Sequence, residues 1–116
     1  MSNYTKVSRQ EGARTVLHDS LALTGAEISV NTLPAGGSVP FIHAHKANEE
    51  IYFVTEGRGK AVVDGEEIPL EKGDWVRIAP AGRRQFFAAP DSDLSYICIQ
   101  VRAGSLGDYS AADALV

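Results

Sequence analysis

GSVPFIHAH at residues 37–45 and EIYFVTEG at residues 50–57 decide the fold and the site predicted for this sequence. Residues 40–45 are typical of a strand in which His43 and His45 lie two positions apart, so strand alternation aims both imidazoles to one side. A second strand begins at Glu50, whose carboxylate arrives beside the histidines if the two strands are neighbours. Two imidazoles and one carboxylate suit a divalent ion such as Zn, Fe, Mn, Ni or Cu. The pattern predicts one metal site and does not distinguish among these ions.

Turn-forming residues separate short apolar or alternating segments along the rest of the chain. Asp64-Gly65 between two strand-like runs predicts a tight hairpin with a type I′ turn. The first 24 residues and the tail after Arg102 give no clear pattern and fit coil, short helix or an arm packed on a neighbouring subunit. The pattern as a whole predicts an all-β closed barrel or jelly roll of about eight strands. These strands lie near 27–33, 40–45, 50–56, 59–63, 66–70, 75–79, 83–88 and 94–101.

Length and composition narrow the class of protein. The 116 residues fit one ordinary domain, so we expect residues 1–116 to form a single unit. The formal net charge is −4 and the basic residues are scattered apart from Arg83–Arg84, which argues against a nucleic-acid partner. No apolar run is long enough for a membrane span, and the N-terminus lacks the apolar segment of a secretory leader. The single cysteine, Cys98, lies in an apolar run typical of a buried thiol, so we expect a soluble, cytoplasmic protein.

The chain resembles the cupin family at two motifs. The first motif places Gly37, His43, His45, Glu50 and Gly57 at the family's spacing. The second motif, in residues 73–85, has one extra residue before its proline and carries Gln85 where the family has its last histidine ligand. The resemblance covers roughly residues 27–101 and implies a double-stranded β-helix, the cupin jelly-roll barrel. It also implies a homodimer, because cupins commonly pair, and the apolar and aromatic residues at both chain ends are suitable for strand exchange or edge covering.

The glutamine in the second motif leaves the ligand set open. Gln85 is a candidate fourth ligand through its amide oxygen, as the resemblance to some sugar-phosphate isomerases of the superfamily implies, or a donor that orients substrate or water. A third interpretation is a barrel that has lost its metal, because an amide is a weak and neutral donor. If the strand register is shifted, Glu49 replaces Glu50 as the ligand. The family spacing fits better with Glu49 in a solvated turn.

Strand alternation also predicts the residues of a substrate pocket. Phe41 shares the face of the histidines, Tyr52 shares the face of Glu50, and Phe87 shares that of Gln85. These side chains either line a pocket or simply fill the core. Tyr52 and Glu50 are the candidate catalytic residues, because a phenol near a metal can serve as acid, base or hydrogen-bond donor. Arg77 faces solvent by default, and the alternative is that it reaches into the barrel to hold a carboxylate. Arg83 and Arg84 follow a turn and are predicted to be charges at the rim of the barrel.

Three functions are consistent with these residues. The ligand set favours a metal-dependent oxidoreductase, most simply a dioxygenase acting on a small organic molecule. Gln85 favours a metal-assisted isomerase, epimerase or lyase on a sugar or keto acid, with Tyr52 or Glu49 moving the proton. The third function is a small-molecule-binding barrel without catalysis. The substrate and reaction are not readable from the sequence.

Overall fold

The computed structural model describes residues 2–8 and 11–115. This part of the chain consists of β-strands, turns and irregular segments, with one short 3₁₀ helix at Ala111–Asp113. None of its helical segments is long and apolar enough to cross a membrane. Its strands are β1 (Arg14–Val16), β2 (Glu27–Leu33), β3 (Asn48–Val63), β4 (Glu66–Glu71), β5 (Trp75–Ile78), β6 (Arg84–Ala88) and β7 (Leu94–Arg102). The predicted all-β class is confirmed.

Strand β3 runs through both sheets of the barrel. Residues 48–57 pair with β7 on one side, and residues 50–53 pair with β5 on the other. Residues 58–63 pair with β4 and β6, and all of these pairings are antiparallel. A β-bulge between Val54 and Glu56 interrupts the register with β7, which bends the strand from one sheet into the next. The first sheet continues from β7 to β2 and then to β1, so the two sheets enclose one interior.

The predicted strands at 50–56 and 59–63 form one continuous strand. Gly57 has a φ of 81°, in the region that favours glycine. A Cβ at this position would lie 1.8 Å from the carbonyl oxygen of Asp93. The glycine therefore marks a close backbone approach within β3, not a turn between two strands.

The predicted strand at 40–45 is not a regular strand. Its segment joins β6 only through isolated bridges, Ser38 to Phe87 and His43 to Arg84. Pro40 lies between these bridges and has no N–H to donate to a ladder, which explains why the pairing is interrupted. Conversely, β1 is a strand that the sequence pattern does not predict, because its three residues, two of them polar, are too short to show alternation.

The hairpin predicted at Asp64-Gly65 is confirmed. Val63 pairs with Glu66 across the turn. Asp64 and Gly65 have φ values of 51° and 82°, as a type I′ turn requires at both central positions.

Alternation along β3 and β6 sets which side chains reach the interior. On β3, Glu50, Tyr52 and Val54 are buried while the residues between them are partly exposed. On β6, the buried positions are Arg84, Phe86 and Ala88. Gln85 and Phe87 occupy the alternate, partly buried positions, so the face of β6 that packs into the core differs by one residue from the predicted face. Such a shift moves every side chain of the strand to the other face.

Candidate metal site

The loop from Ser38 to His45 holds the two histidines over the start of β3. His43 and Arg84 are joined by two backbone hydrogen bonds, His43 N–H to Arg84 O at 3.1 Å and Arg84 N–H to His43 O at 2.9 Å. His45 N–H donates to Pro80 O at 2.9 Å. These bonds tie the loop to β6 and to the turn before it. The positions of both imidazoles are therefore fixed by backbone pairing, although the segment is not a regular strand.

His43, His45 and Glu50 come together as the sequence predicts. One ligand atom from each residue lies within 4.8 Å of the others. His45 Nε2 is 3.2 Å from Glu50 Oε2, and the two imidazole rings are perpendicular with centroids 5.1 Å apart. This arrangement directs two nitrogen donors and one oxygen donor toward a shared space.

The unpaired ring nitrogens test whether these residues fit a metal ion. His43 Nδ1 and His45 Nε2 are buried and make no hydrogen bond to the described residues, although His45 Nε2 lies within ion-pair distance of Glu50 Oε2. Buried polar atoms in proteins nearly always have a partner, so two such nitrogens side by side need an explanation. A divalent cation bound by both nitrogens and by the nearby carboxylate would supply it. The residues present therefore fit a metal ion.

Four side chains surround the carboxylate of Glu50, which is only 5% exposed. Its Oε1 accepts hydrogen bonds from the Tyr52 hydroxyl at 2.5 Å and from Arg84 Nη1 at 2.7 Å. Its Oε2 accepts a longer hydrogen bond from Cys98 Sγ at 3.4 Å and faces His45. Burial raises the pKa of Glu50, but the hydrogen bonds from Tyr52 and Arg84 outweigh burial, so the pKa is lower than usual. Glu50 is therefore an anion, with Oε2 directed to the histidines.

Arg84 is the site residue that the sequence analysis misses. Its side chain is fully buried, whereas the sequence indicates a rim charge after a turn. Besides Glu50, its guanidinium donates to the carbonyl oxygens of Gly82, Ala79 and Pro80, at distances from 2.7 to 3.3 Å. A buried arginine held by one carboxylate and several carbonyls acts as a fixed support for that carboxylate. In the sequence, only the extra residue in the second motif indicates that Arg84 takes the inward position predicted for Gln85.

Burial also affects the protonation of His43. Burial lowers the pKa of its imidazole, and the charges of Arg84 and Arg14 act in the same direction, against the opposing effect of Glu50. The imidazole is therefore neutral at pH 7, which is the form that binds metal ions.

A cavity of about 540 Å³ lies against the three candidate ligands. Phe41 borders it with 58% of its surface exposed, so this ring lies at the mouth. Tyr52 lies deeper, stacked on Phe86. Gln85 also borders the cavity, but its amide nitrogen donates to Val39 O at 2.6 Å, and strand alternation sets its side chain apart from Arg84. This bond ties Gln85 to the loop that carries the histidines, and ligation by its amide oxygen remains a prediction.

The other predicted pocket residues lie outside the cavity. Arg77 is 60% exposed and its Nε donates to Glu49 Oε1 at 2.8 Å on the outer face of the sheet. Both residues alternate with inward-facing neighbours, so neither reaches the interior. Phe87 lies beneath the Lys60 ammonium, which is 5.4 Å from the ring centroid. The prediction that Arg77 and Phe87 line the pocket is therefore wrong. Glu49 also lies outside the cavity, so it does not take the place of Glu50.

Comparison with known proteins agrees with this architecture. Residues 29–100 match the family model of the cupin domain. An uncharacterized protein of Methanocaldococcus jannaschii is 33% identical over 85 residues, which span 73% of this chain and 68% of the relative. The crystal structure of a cupin protein from Bacteroides fragilis is 58% identical, with a TM-score of 0.96 over 100% of this chain and 98% of that one. A sugar phosphate isomerase of the cupin superfamily from Silicibacter pomeroyi is 25% identical, with a TM-score of 0.67 over 78% of this chain and 60% of that one. These matches confirm the double-stranded β-helix, and the chain belongs to the cupin family.

Proposed function

We propose that this protein binds one divalent metal ion through His43, His45 and Glu50 and acts as an oxidoreductase, most simply a dioxygenase, on a small organic molecule. One observation carries the proposal: two buried, unpaired imidazole nitrogens and a carboxylate converge at a cavity large enough for a small molecule. The donor set suits Fe, Mn, Ni or Zn. Of these, Fe, Mn and Ni can change oxidation state, and three protein ligands would leave open positions on such an ion for O₂ and substrate.

The surroundings of the metal ligands favour oxidation over isomerisation. An isomerase needs a group that moves a proton, and the candidate side chains are Tyr52 and Glu49. The Tyr52 hydroxyl donates to Glu50, and burial raises its pKa far above the usual value. Glu49 is engaged with Arg77 outside the cavity. Tyr52 is therefore better suited to hold Glu50 in place than to act as a base, which supports chemistry that needs no protein base.

A metal-assisted isomerase remains the second candidate. The similarity to a cupin-superfamily sugar phosphate isomerase, at 25% identity, favours it. In this case a cavity side chain or a bound water would move the proton. Deuterium from solvent would then enter sugar or keto-acid substrates, whereas the oxidoreductase would incorporate none.

The proposed activity is tested with protein purified without an affinity tag. Metal-free protein is loaded with Fe²⁺ under anaerobic conditions, and oxygen uptake is followed with a panel of diketones, thiols and phenols. We expect uptake with the wild type and a loss of at least about 100-fold in Glu50→Gln, since a neutral amide replaces an anionic ligand. Glu49→Gln is the matched control, because it makes the same change one residue away and outside the cavity. No uptake with any metal, or equal loss in both variants, would refute the oxidoreductase.

We also propose a homodimer formed through the outer face of the first sheet. Two rows of four side chains each cross β2, β7, β3 and β5 on this face. Seven of these eight side chains are apolar. Trp75 and Val30 are 65% and 42% exposed, and Trp75 stacks on Phe53 with ring centroids 4.2 Å apart. Arg77, the charged residue at the edge of this face, is paired with Glu49. A continuous apolar face that carries no unpaired charge suits the same face of a second copy. The rows are Ile28, Ile99, Ile51 and Arg77, and Val30, Ile97, Phe53 and Trp75.

Light scattering after size-exclusion chromatography tests the dimer. We expect wild type at twice the chain mass of 12.4 kDa and Trp75→Glu as a monomer, because the exposed indole lies in the proposed contact. Ile42→Glu is the control, since Ile42 is also exposed, at 55%, but lies in the loop beside the histidines. A monomeric wild type, or a dimeric Trp75→Glu, would contradict this interface.

The expected cytoplasmic location also remains a proposal. The free thiol of Cys98 is buried, which is compatible with a reducing compartment.

A further inference from the structure

Arg14 is a charged residue of the cavity that the metal site does not use. It begins β1, and its partner in the register of the sheet is Asn31 on β2. Asn31 is 6% exposed and belongs to the inward face of β2, together with Ser29. Residues directly opposite on paired strands project from the same face, so the side chain of Arg14 projects to the cavity side of the sheet, where it remains exposed. It lines the same cavity as His43 and Glu50.

A short hydrogen-bond chain fixes the guanidinium. Arg14 Nη1 donates to Asn31 Oδ1 at 2.8 Å, and Asn31 Nδ2 donates to Ser29 Oγ at 2.9 Å. A guanidinium carries five N–H donors, and this is the single hydrogen bond that the Arg14 side chain donates within the described residues. Several donors are therefore available to a molecule in the cavity.

The charge of Arg14 has no acidic partner within 4 Å in the described part of the chain, whereas Arg58, Arg77 and Arg84 each form an ion pair. Glu27 also lines the cavity, but it lies four residues from Asn31 along β2, about 13 Å at the backbone. Its carboxylate accepts a hydrogen bond from His18 N–H at 3.0 Å. The cavity thus contains one cation without a counter-ion.

A hydroxyl lies in the same row of the sheet. Tyr96 on β7 is the register partner of Asn31 and borders the cavity. Its hydroxyl makes no hydrogen bond to the described residues. Burial raises the pKa of Tyr96 to about 12, and the charge of Arg14 acts in the opposite direction, as expected if this charge is close to the ring. The hydroxyl is protonated at pH 7 and is a donor.

From this geometry we infer that Arg14, with Tyr96, binds the carboxylate of a small organic acid whose remaining part faces His43, His45 and Glu50. A guanidinium matches a carboxylate in shape and charge and can bind it with two parallel hydrogen bonds. This inference names the substrate class of the proposed function. It rests on the proposed function only for the part of the substrate that faces the metal. Arg14 thus takes the role that sequence analysis offers to Arg77.

Carboxylate binding is tested by NMR titration of ¹⁵N-labelled protein, both metal-free and loaded with diamagnetic Zn²⁺. The probes are malonate, succinate and 2-oxoglutarate, with malonamide and succinamide as uncharged analogues. We expect at least one acid to bind about tenfold or more tightly than its amide, the effect of one charge-assisted hydrogen bond. Arg14→Gln should lose this preference and keep the wild-type Zn²⁺ content, while Arg77→Gln should bind like the wild type.

Three outcomes would overturn the inference: no acid binds, acids and amides bind equally, or Arg14→Gln binds acids as the wild type does. The proposed function fails separately. If the wild type binds no metal but still binds acids through Arg14, the metal assignment is wrong and the carboxylate site stands.

Discussion

The variant His45→Ala is expected to lose at least about 100-fold in affinity for Zn²⁺, more than the loss typical of a residue that only orients a ligand. Its Nε2 is buried, makes no hydrogen bond to the described residues and lies 3.2 Å from Glu50 Oε2, within the group of possible ligands that His45 forms with His43 and Glu50. At a Zn²⁺ concentration about 1,000 times the wild-type Kd, the ion should stabilise the wild type by about 4 kcal/mol and the variant by no more than about 1.4 kcal/mol.

The measurement compares urea unfolding with and without Zn²⁺ for each protein. The difference within one protein separates metal binding from any effect of the substitution on the metal-free fold. His18→Ala is the matched control, because His18 lies in an exposed loop and bonds to Asp19. We expect this control to keep the full metal-dependent gain. A wild-type gain in His45→Ala, or an equal loss in the control, would exclude His45 as a ligand.

The features predicted correctly from the sequence depend on local spacing. The type I′ turn at Asp64-Gly65 needs only two residues with positive φ. His43, His45 and Glu50 lie within eight positions of one another, and their spacing fixed their convergence even though the predicted strand at 40–45 is an irregular loop. Side chains separated by two positions still reach one side when neighbouring backbone bonds hold the segment in place.

The features that the sequence could not predict depend on distant partners. Whether Arg84 or Gln85 packs against Glu50 on the core face of β6 depends on the register of β6 against β3, and a shift of one residue exchanges them. The buried charge of Arg84 is tolerated because Glu50 lies 34 residues away in the sequence and 2.7 Å away in space. Arg14 was unassigned for the same reason: its place in the cavity depends on a three-residue strand that pairs with β2. Neither arginine has a local pattern that distinguishes it from a surface residue.

The register of β6 places Arg84 against Glu50, which predicts a second large effect, on the stability of the fold. Arg84→Met is expected to lower the free energy of unfolding of the metal-free protein by about 3–5 kcal/mol, because it leaves the buried carboxylate of Glu50 without its cation. The carbonyl oxygens of Ala79 and Gly82 also lose donors, which adds to the cost. Methionine keeps a flexible apolar chain in the space of the arginine stem and limits the loss of packing. Urea unfolding in the presence of a chelator measures the change without a contribution from bound metal.

A double-mutant cycle with Glu50→Gln separates the ion pair from the other contacts of Arg84. If Arg84 supports Glu50, the double variant should be more stable than Arg84→Met alone, because the uncompensated charge is gone and the amide oxygen still accepts from Tyr52. Arg58→Met is the control, since Arg58 pairs with Asp91 at the surface, and an exposed pair contributes at most about 1 kcal/mol. Equal losses in Arg84→Met and Arg58→Met would show that the buried pair does not stabilise the fold. A double variant no more stable than Arg84→Met would assign its loss to the carbonyl contacts instead. The predicted recovery would identify Arg84 as the cation that compensates the buried charge of Glu50.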